Sequence, residues 1–112
     1  MTVDLDIYSV DRAGKLCRAA TPRRGNPYEH RCCLDVLETV AHWFDEHRTT
    51  PTTLDYLAAA IDEPNTQTSV AMSFLLERGI IERIGRANYP ASGCCHLDAM
   101  TEYHALREKG PA

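Results

Sequence analysis

Between Thr53 and Pro90 the chain reads TLDYLAAAIDEPNTQTSVAMSFLLERGIIERIGRANYP, and no other stretch limits the fold as tightly. Leu57, Ala58 and Ile61 give one apolar face, and Thr68, Met72, Leu75 and Leu76 give another, at the three-and-four spacing of a buried helical stripe. Two short helices joined by a tight turn follow from that spacing. Arg78-Gly79 ends the second helix, because glycine adopts the left-handed C′ conformation without a Cβ penalty. The β-branched Ile80, Ile81 and Ile84 then lead into Gly85-Arg86-Ala87-Asn88, a hairpin tip, with Tyr89 on the returning strand. The predicted order is helix, turn, helix, hairpin.

The flanking segments extend that frame. Val3, Leu5 and Ile7 alternate with Asp4, Asp6 and Tyr8, the period-two pattern of a half-buried strand. Asp11-Arg12-Ala13-Gly14 fits a turn and Lys15–Ala19 a returning strand, so residues 1–25 read as an N-terminal β-hairpin. A disordered arm is the rival reading, because Thr21-Pro22-Arg23-Arg24-Gly25 is loop-like. Asn26-Pro27-Tyr28-Glu29 carries the signals of a helix start, with Asn as N-cap and Glu three residues on. The expectation is a helix to about His47, burying Cys33, Val36, Leu37, Val40, Trp43 or Phe44, and His47. After Ser92-Gly93, His96–Lys109 reads as a last helix with Leu97 and Met100 on its packed side. The divisions are an arm or hairpin at 1–25, a helix-turn-helix unit at 26–91 and a terminal helix at 92–112.

Leu57-Ala58, Ile61 and Leu75-Leu76-Glu77-Arg78-Gly79-Ile80-Ile81 resemble the LA…L…L..LE..GLI pattern of bacterial winged helix-turn-helix regulators of the MarR/ArsR-like kind. IERIGRANYP is similar to their arginine-containing wing. The chain departs from that pattern at Asp62-Glu63-Pro64, where the family has a glycine followed by an apolar residue, and in the neutral start of the second helix. The resemblance implies a mainly α (α+β) winged fold that binds double-stranded DNA as a homodimer and regulates transcription. It also implies a wing that reaches the flanking groove or backbone through Arg83 and Arg86, and a terminal helix that dimerises. Folding of that helix onto its own core is the alternative.

Charge distribution qualifies a formal net charge of −4. Between residues 11 and 31, Arg12, Lys15, Arg18, Arg23, Arg24 and Arg31 oppose only Asp11 and Glu29, and between 78 and 90 three arginines oppose Glu82. A chain acidic overall can still present one basic face. If the second helix buries Thr68, Met72, Leu75 and Leu76, then Thr66, Gln67, Ser69, Val70 and Ser73 face outward. The polar members suit base edges, and Val70 suits a thymine methyl. Asn65 stands where helical N–H groups meet a phosphate. Arg23 and Arg24, just before the first long helix, suit an adjacent phosphate run. Because that helix face lacks charge, docking of a partner protein is the competing reading.

His30, Cys32 and Cys33, and Cys94, Cys95 and His96, place a vicinal cysteine pair with a histidine at each of two expected helix starts. Helix N-termini lower thiol pKa, which makes Cys32, Cys33, Cys94, Cys95 and His96 candidates for metal or oxidant sensing. The spacing opposes it, since adjacent helical cysteines point about 100° apart and no C-x-x-C occurs. No cofactor is expected. No phosphate loop, G-x-S-x-G or H-E-x-x-H is present, so no enzyme is expected either. No apolar run approaches the roughly 20 residues of a membrane span, and the N-terminus lacks a signal-peptide pattern, which points to the cytoplasm with reduced thiols.

Overall fold

The computed structural model describes residues 5–22 and 24–111; Val3 of the expected first strand and Arg23 lie outside them. Three strands come first: β1 (Leu5–Val10), β2 (Leu16–Thr21) and β3 (Tyr28–Cys32), antiparallel in the order β1-β2-β3. The first turn follows the sequence signal. Gly14 N–H donates to Asp11 O at 3.0 Å and Lys15 N–H to Asp11 Oδ1 at 2.9 Å. Gly14 has φ +86°, and a Cβ there would stand 3.2 Å from the Tyr103 hydroxyl, so both conformation and space require glycine. The alternation has the opposite phase to the one its aliphatic residues suggest. Tyr8 and Val10 face the core, whereas Ile7 is 60% exposed.

The expected helix from Asn26 is corrected over about its first two turns. Tyr28–Cys32 forms a strand, with Cys32 opposite Leu16 and Tyr28 opposite Ala20, and the helix begins only at Leu34. A two-stranded ribbon is marginal alone, and the third strand gives the sheet enough paired backbone to bury a face. Arg31 binds Glu29 at 2.8 Å, a pairing two residues apart that a strand allows and a helix does not.

Helix α1 (Leu34–Glu46) buries Val36, Leu37, Val40, Ala41 and Phe44, so Phe44 and not Trp43 fills the core. Trp43 stays half-buried; its Nε1–H donates to Thr52 Oγ1 at 3.2 Å, and His47 stacks on its ring. Helix α2 (Leu54–Ile61) is capped by Thr53 Oγ1, which accepts from Tyr56 N–H. Asp62 closes it in the left-handed conformation at φ 55°, which Asp tolerates better than most residues. Helix α3 (Asn65–Glu77) follows Pro64. Strands β4 (Ile81–Ile84) and β5 (Ala87–Pro90) meet at the two-residue tip Gly85-Arg86, tighter than the expected four-residue tip. Asn88 also exchanges backbone bonds with Thr52, at 2.8 and 3.3 Å, tying the hairpin to the entrance of α2.

Helix α4 (Cys95–Lys109) buries Cys95, Ala99 and Tyr103 in the common core. Leu97, assigned above to the packed side, is 62% exposed. Asp45 at the end of α1 caps α4, accepting from Cys95 N–H at 2.7 Å and His96 N–H at 2.9 Å. At the other side Tyr103 Oη donates to Gly14 O at 2.6 Å. The terminal helix thus packs on its own chain. No helix among the described residues is long and apolar enough to cross a membrane. The described residues form an α+β fold with four helices and two small antiparallel sheets.

Candidate nucleic-acid interface

α3 has the least free surface of the four helices. Met72, Leu75 and Thr68 face α1 and α2, and because β2 and β3 also pack against it, Val70 and Phe74 are buried on a second side. Tyr8 of β1 seals that side, its ring 5.4 Å from Phe74. Val70 is therefore corrected. It is fully buried, not outward, and meets no thymine methyl. The sheet covering it comes from outside the helix-turn-helix stretch, so the helical spacing alone gave no warning.

What remains of the free face is a strip running from Asn65 and Thr66 past Ser69 and Ser73 to Glu77. Asn65 and Thr66 are exposed, and Asn65 Nδ2 donates to Asp55 Oδ1 at 2.9 Å. Gln67 is turned away from the strip: its Oε1 accepts the Cys33 N–H at 2.9 Å and anchors the start of α1. Ser69 and Ser73 are half-buried in a groove of about 230 Å³ between α3 and the β4–β5 hairpin, which Leu54, Arg83, Arg86 and Asn88 also line. Arg18 Nη1 donates to Ser73 Oγ at 3.2 Å from the sheet side. Burial pushes the nearby Tyr8 phenol up to about 12, against the opposing pull of Arg18, so it stays protonated.

The arginines divide by their partners. Arg18 binds Asp6 at 3.0 Å, Arg31 binds Glu29 and Asp11, Arg48 binds Asp45, and Arg78 lies between Glu77 and Glu102. Arg83 and Arg86 are exposed and enter no ion pair among the described residues. Arg24 is exposed on the β2–β3 loop and does not line the groove; Arg23 lies outside the described residues. The structure thus brings Ser69, Ser73, Arg83 and Arg86 together, leaves Asn65 and Thr66 at the head of the strip, and removes Gln67 and Val70. Sequence reasoning missed Asn88. Its Nδ2 donates to Thr52 O at 3.0 Å, while its buried Oδ1 has no partner among the described residues. Its position opposite Arg83 in the hairpin was the available clue.

The cysteines do not converge. Cys33 caps the N-terminus of α1, whereas Cys95 binds Asp45 at its C-terminal end, roughly 18 Å away at 1.5 Å per residue. Burial pushes the Cys32 thiol up to about 12, with Cys33 adding to it, and raises Cys95 to about 11, reinforced by Asp45. That reverses the thiol activation expected at helix starts: Cys32 ends a strand, and in both thiols desolvation dominates. His96 stacks on His42 with ring centres 4.0 Å apart, and its Nε2 lies 3.3 Å from Glu38 Oε1. Among the described residues, no three His, Cys, Asp or Glu side chains gather as a metal site.

No protein-family model, curated protein or solved structure matches this chain.

Proposed function

We propose that residues from Leu34 to Pro90 form a winged helix-turn-helix that binds double-stranded DNA and serves in transcriptional regulation. The observation that carries this reading is the pair of ion-pair-free guanidiniums, Arg83 and Arg86, facing the hydroxyls of Ser69 and Ser73 across an open groove. A cation without an internal partner keeps its full attraction for phosphate, whereas one already paired gains less. On this reading α3 offers Asn65, Thr66 and Ser69 to base edges, and the β4–β5 wing holds the flanking backbone. The tie between Asn88 and Thr52 fixes the wing relative to α2 and so sets the angle between these contacts.

Fluorescence anisotropy on random duplex DNA at several salt concentrations tests the reading. Contact with about six phosphates gives a log–log slope near −5. Absence of binding at low salt would overturn it.

One observation favours a second reading, a winged helix that docks a protein. The free strip of α3 is narrow, ends in Glu77 and is flanked by the sheet, which limits how deeply the helix can enter a major groove about 12 Å wide. Binding to duplex DNA with no dependence on Arg83 or Arg86 would remove the wing contact, and no binding even at low salt would favour protein docking.

A further inference from the structure

On the other side of α3 from the arginine groove, two cavities of about 290 and 450 Å³ adjoin along α1 and share Thr39 and Ile61. Gln67 lines the first, and at 100° per residue it points roughly 160° away from Ser69. The floor is apolar: the half-buried Trp43 and Ile61, with the 51%-exposed Tyr56 edge-on to Trp43 at 5.9 Å. The rim is acidic. Asp35, Glu46 and Glu63 line the two cavities and, among the described residues, no Lys or Arg does. A half-buried tryptophan lining an open cleft, with an exposed tyrosine at its edge, is the composition of a protein-binding hot spot.

The complementary chemistry is displayed by the same chain. The β2–β3 loop carries Arg24 next to Arg23 in sequence, and Tyr28, 41% exposed, follows four residues later. From Asp35 to Glu46 the groove runs about 16 Å along α1. An extended segment from Arg24 to Tyr28 covers about 13 Å, so it fits within that length. We propose that this groove receives the β2–β3 loop of a second copy, with Arg24 against the acidic rim and Tyr28 against Trp43 and Ile61. Each copy then supplies one loop and one groove, and the contact closes on itself as a two-fold dimer. The interface lies away from the wing arginines and is independent of DNA binding.

Light scattering on the purified chain across a wide concentration range at low and high salt tests this. The wild type is expected to dimerise, more weakly at high salt because the pairs are exposed. Glu46→Lys with Glu63→Lys, and separately Arg24→Glu, are each expected to weaken the dimer on the order of tenfold or more. Combining the three substitutions restores association by exchanging the signs, a rescue that a merely destabilised fold would not show. Far-UV circular dichroism confirms that each variant is folded. A wild type that stays monomeric at the highest concentration overturns the proposal. So does a dimer unmoved by either reversal, which would assign self-association to another surface. A reversed-charge combination that remains monomeric does the same.

Discussion

The two small sheets flank one helix and use the same residue type for opposite ends. In the N-terminal sheet Arg18 and Arg31 are held by Asp6, Glu29 and Asp11, and the inner face of the sheet buries Tyr8, Val10 and Leu16. In the β4–β5 hairpin Glu82, Arg83, Ile84 and Arg86 are all exposed and the arginines are unpaired among the described residues. Read along the chain, both segments carry a basic excess, and the larger excess belongs to the sheet. Folded, part of it is neutralised internally, while the hairpin arginines stay exposed. Local charge counts therefore mark candidate surfaces, and pairing decides which of them remain available.

That contrast breaks most visibly through stability. Phe74→Ala removes the fully buried ring that joins α3 to the sheet, and a loss of about 3–5 kcal/mol is expected. In thermal denaturation this lowers Tm by tens of degrees, at about 4–8 °C per kcal/mol for a domain approaching this size. A loss of only a few degrees would mean that the sheet adds little to α3.

The wing should respond in the opposite sense. Arg83→Glu with Arg86→Glu is expected to leave Tm within about a degree or two of wild type, since neither side chain has an ion-pair partner to lose among the described residues. Each lost phosphate contact makes the salt slope of duplex binding shallower by about one unit, so the pair changes it by about two. Arg31→Glu serves as the matched control in the sheet and is expected to leave that slope unchanged.

Two smaller effects sharpen the structural side. Gly14→Ala forces an L-residue into φ +86° against the Tyr103 hydroxyl, and a loss of about 1–2 kcal/mol in urea denaturation is expected. Asp45 is subject to burial, which would raise its pKa, but the N–H groups of His96 and Cys95, aided by Arg48, outweigh it and hold the carboxyl below its usual value. A carboxyl depressed in the folded state stabilises above its unfolded pKa near 3.9 and loses that contribution as pH falls through the folded value. Asp45→Asn should therefore cost on the order of 1 kcal/mol at pH 7 and progressively less as the pH falls below about 4. Equal losses at pH 7 and pH 3 would contradict the ionic cap.

Much of this fold was legible because local periodicity and tertiary packing agree from Thr53 to Pro90. Both helices and the Gly79 stop lie where the residues place them, and the hairpin differs from its expectation only in a shorter tip. Elsewhere packing overrode local chemistry. Asn26, Pro27 and Glu29 form a strong helix-start signal, yet pairing with β2 makes Tyr28–Cys32 a strand. Ile7 is more aliphatic than Tyr8, but Tyr8 is the side chain that reaches Phe74. In the groove, helical spacing placed Ser69 outward, while the wing arginines came from the resemblance and not from spacing. The burial of Val70 was not legible, because a segment some 50 residues earlier in the chain covers that side of α3. The Asp45 cap on α4 joins residues equally distant in sequence and carries no local signature.

The central claim is that the groove between α3 and the β4–β5 hairpin is the surface that meets DNA. Backbone amide shift mapping by heteronuclear NMR, titrating the whole chain with a short random duplex, addresses it directly. The account predicts that the largest perturbations fall on Asn65, Thr66, Ser69, Ser73 and residues 83–88, and that they fade with added salt. Perturbations centred instead on Trp43, Glu46 and Glu63, or on β1 and β2, would contradict it.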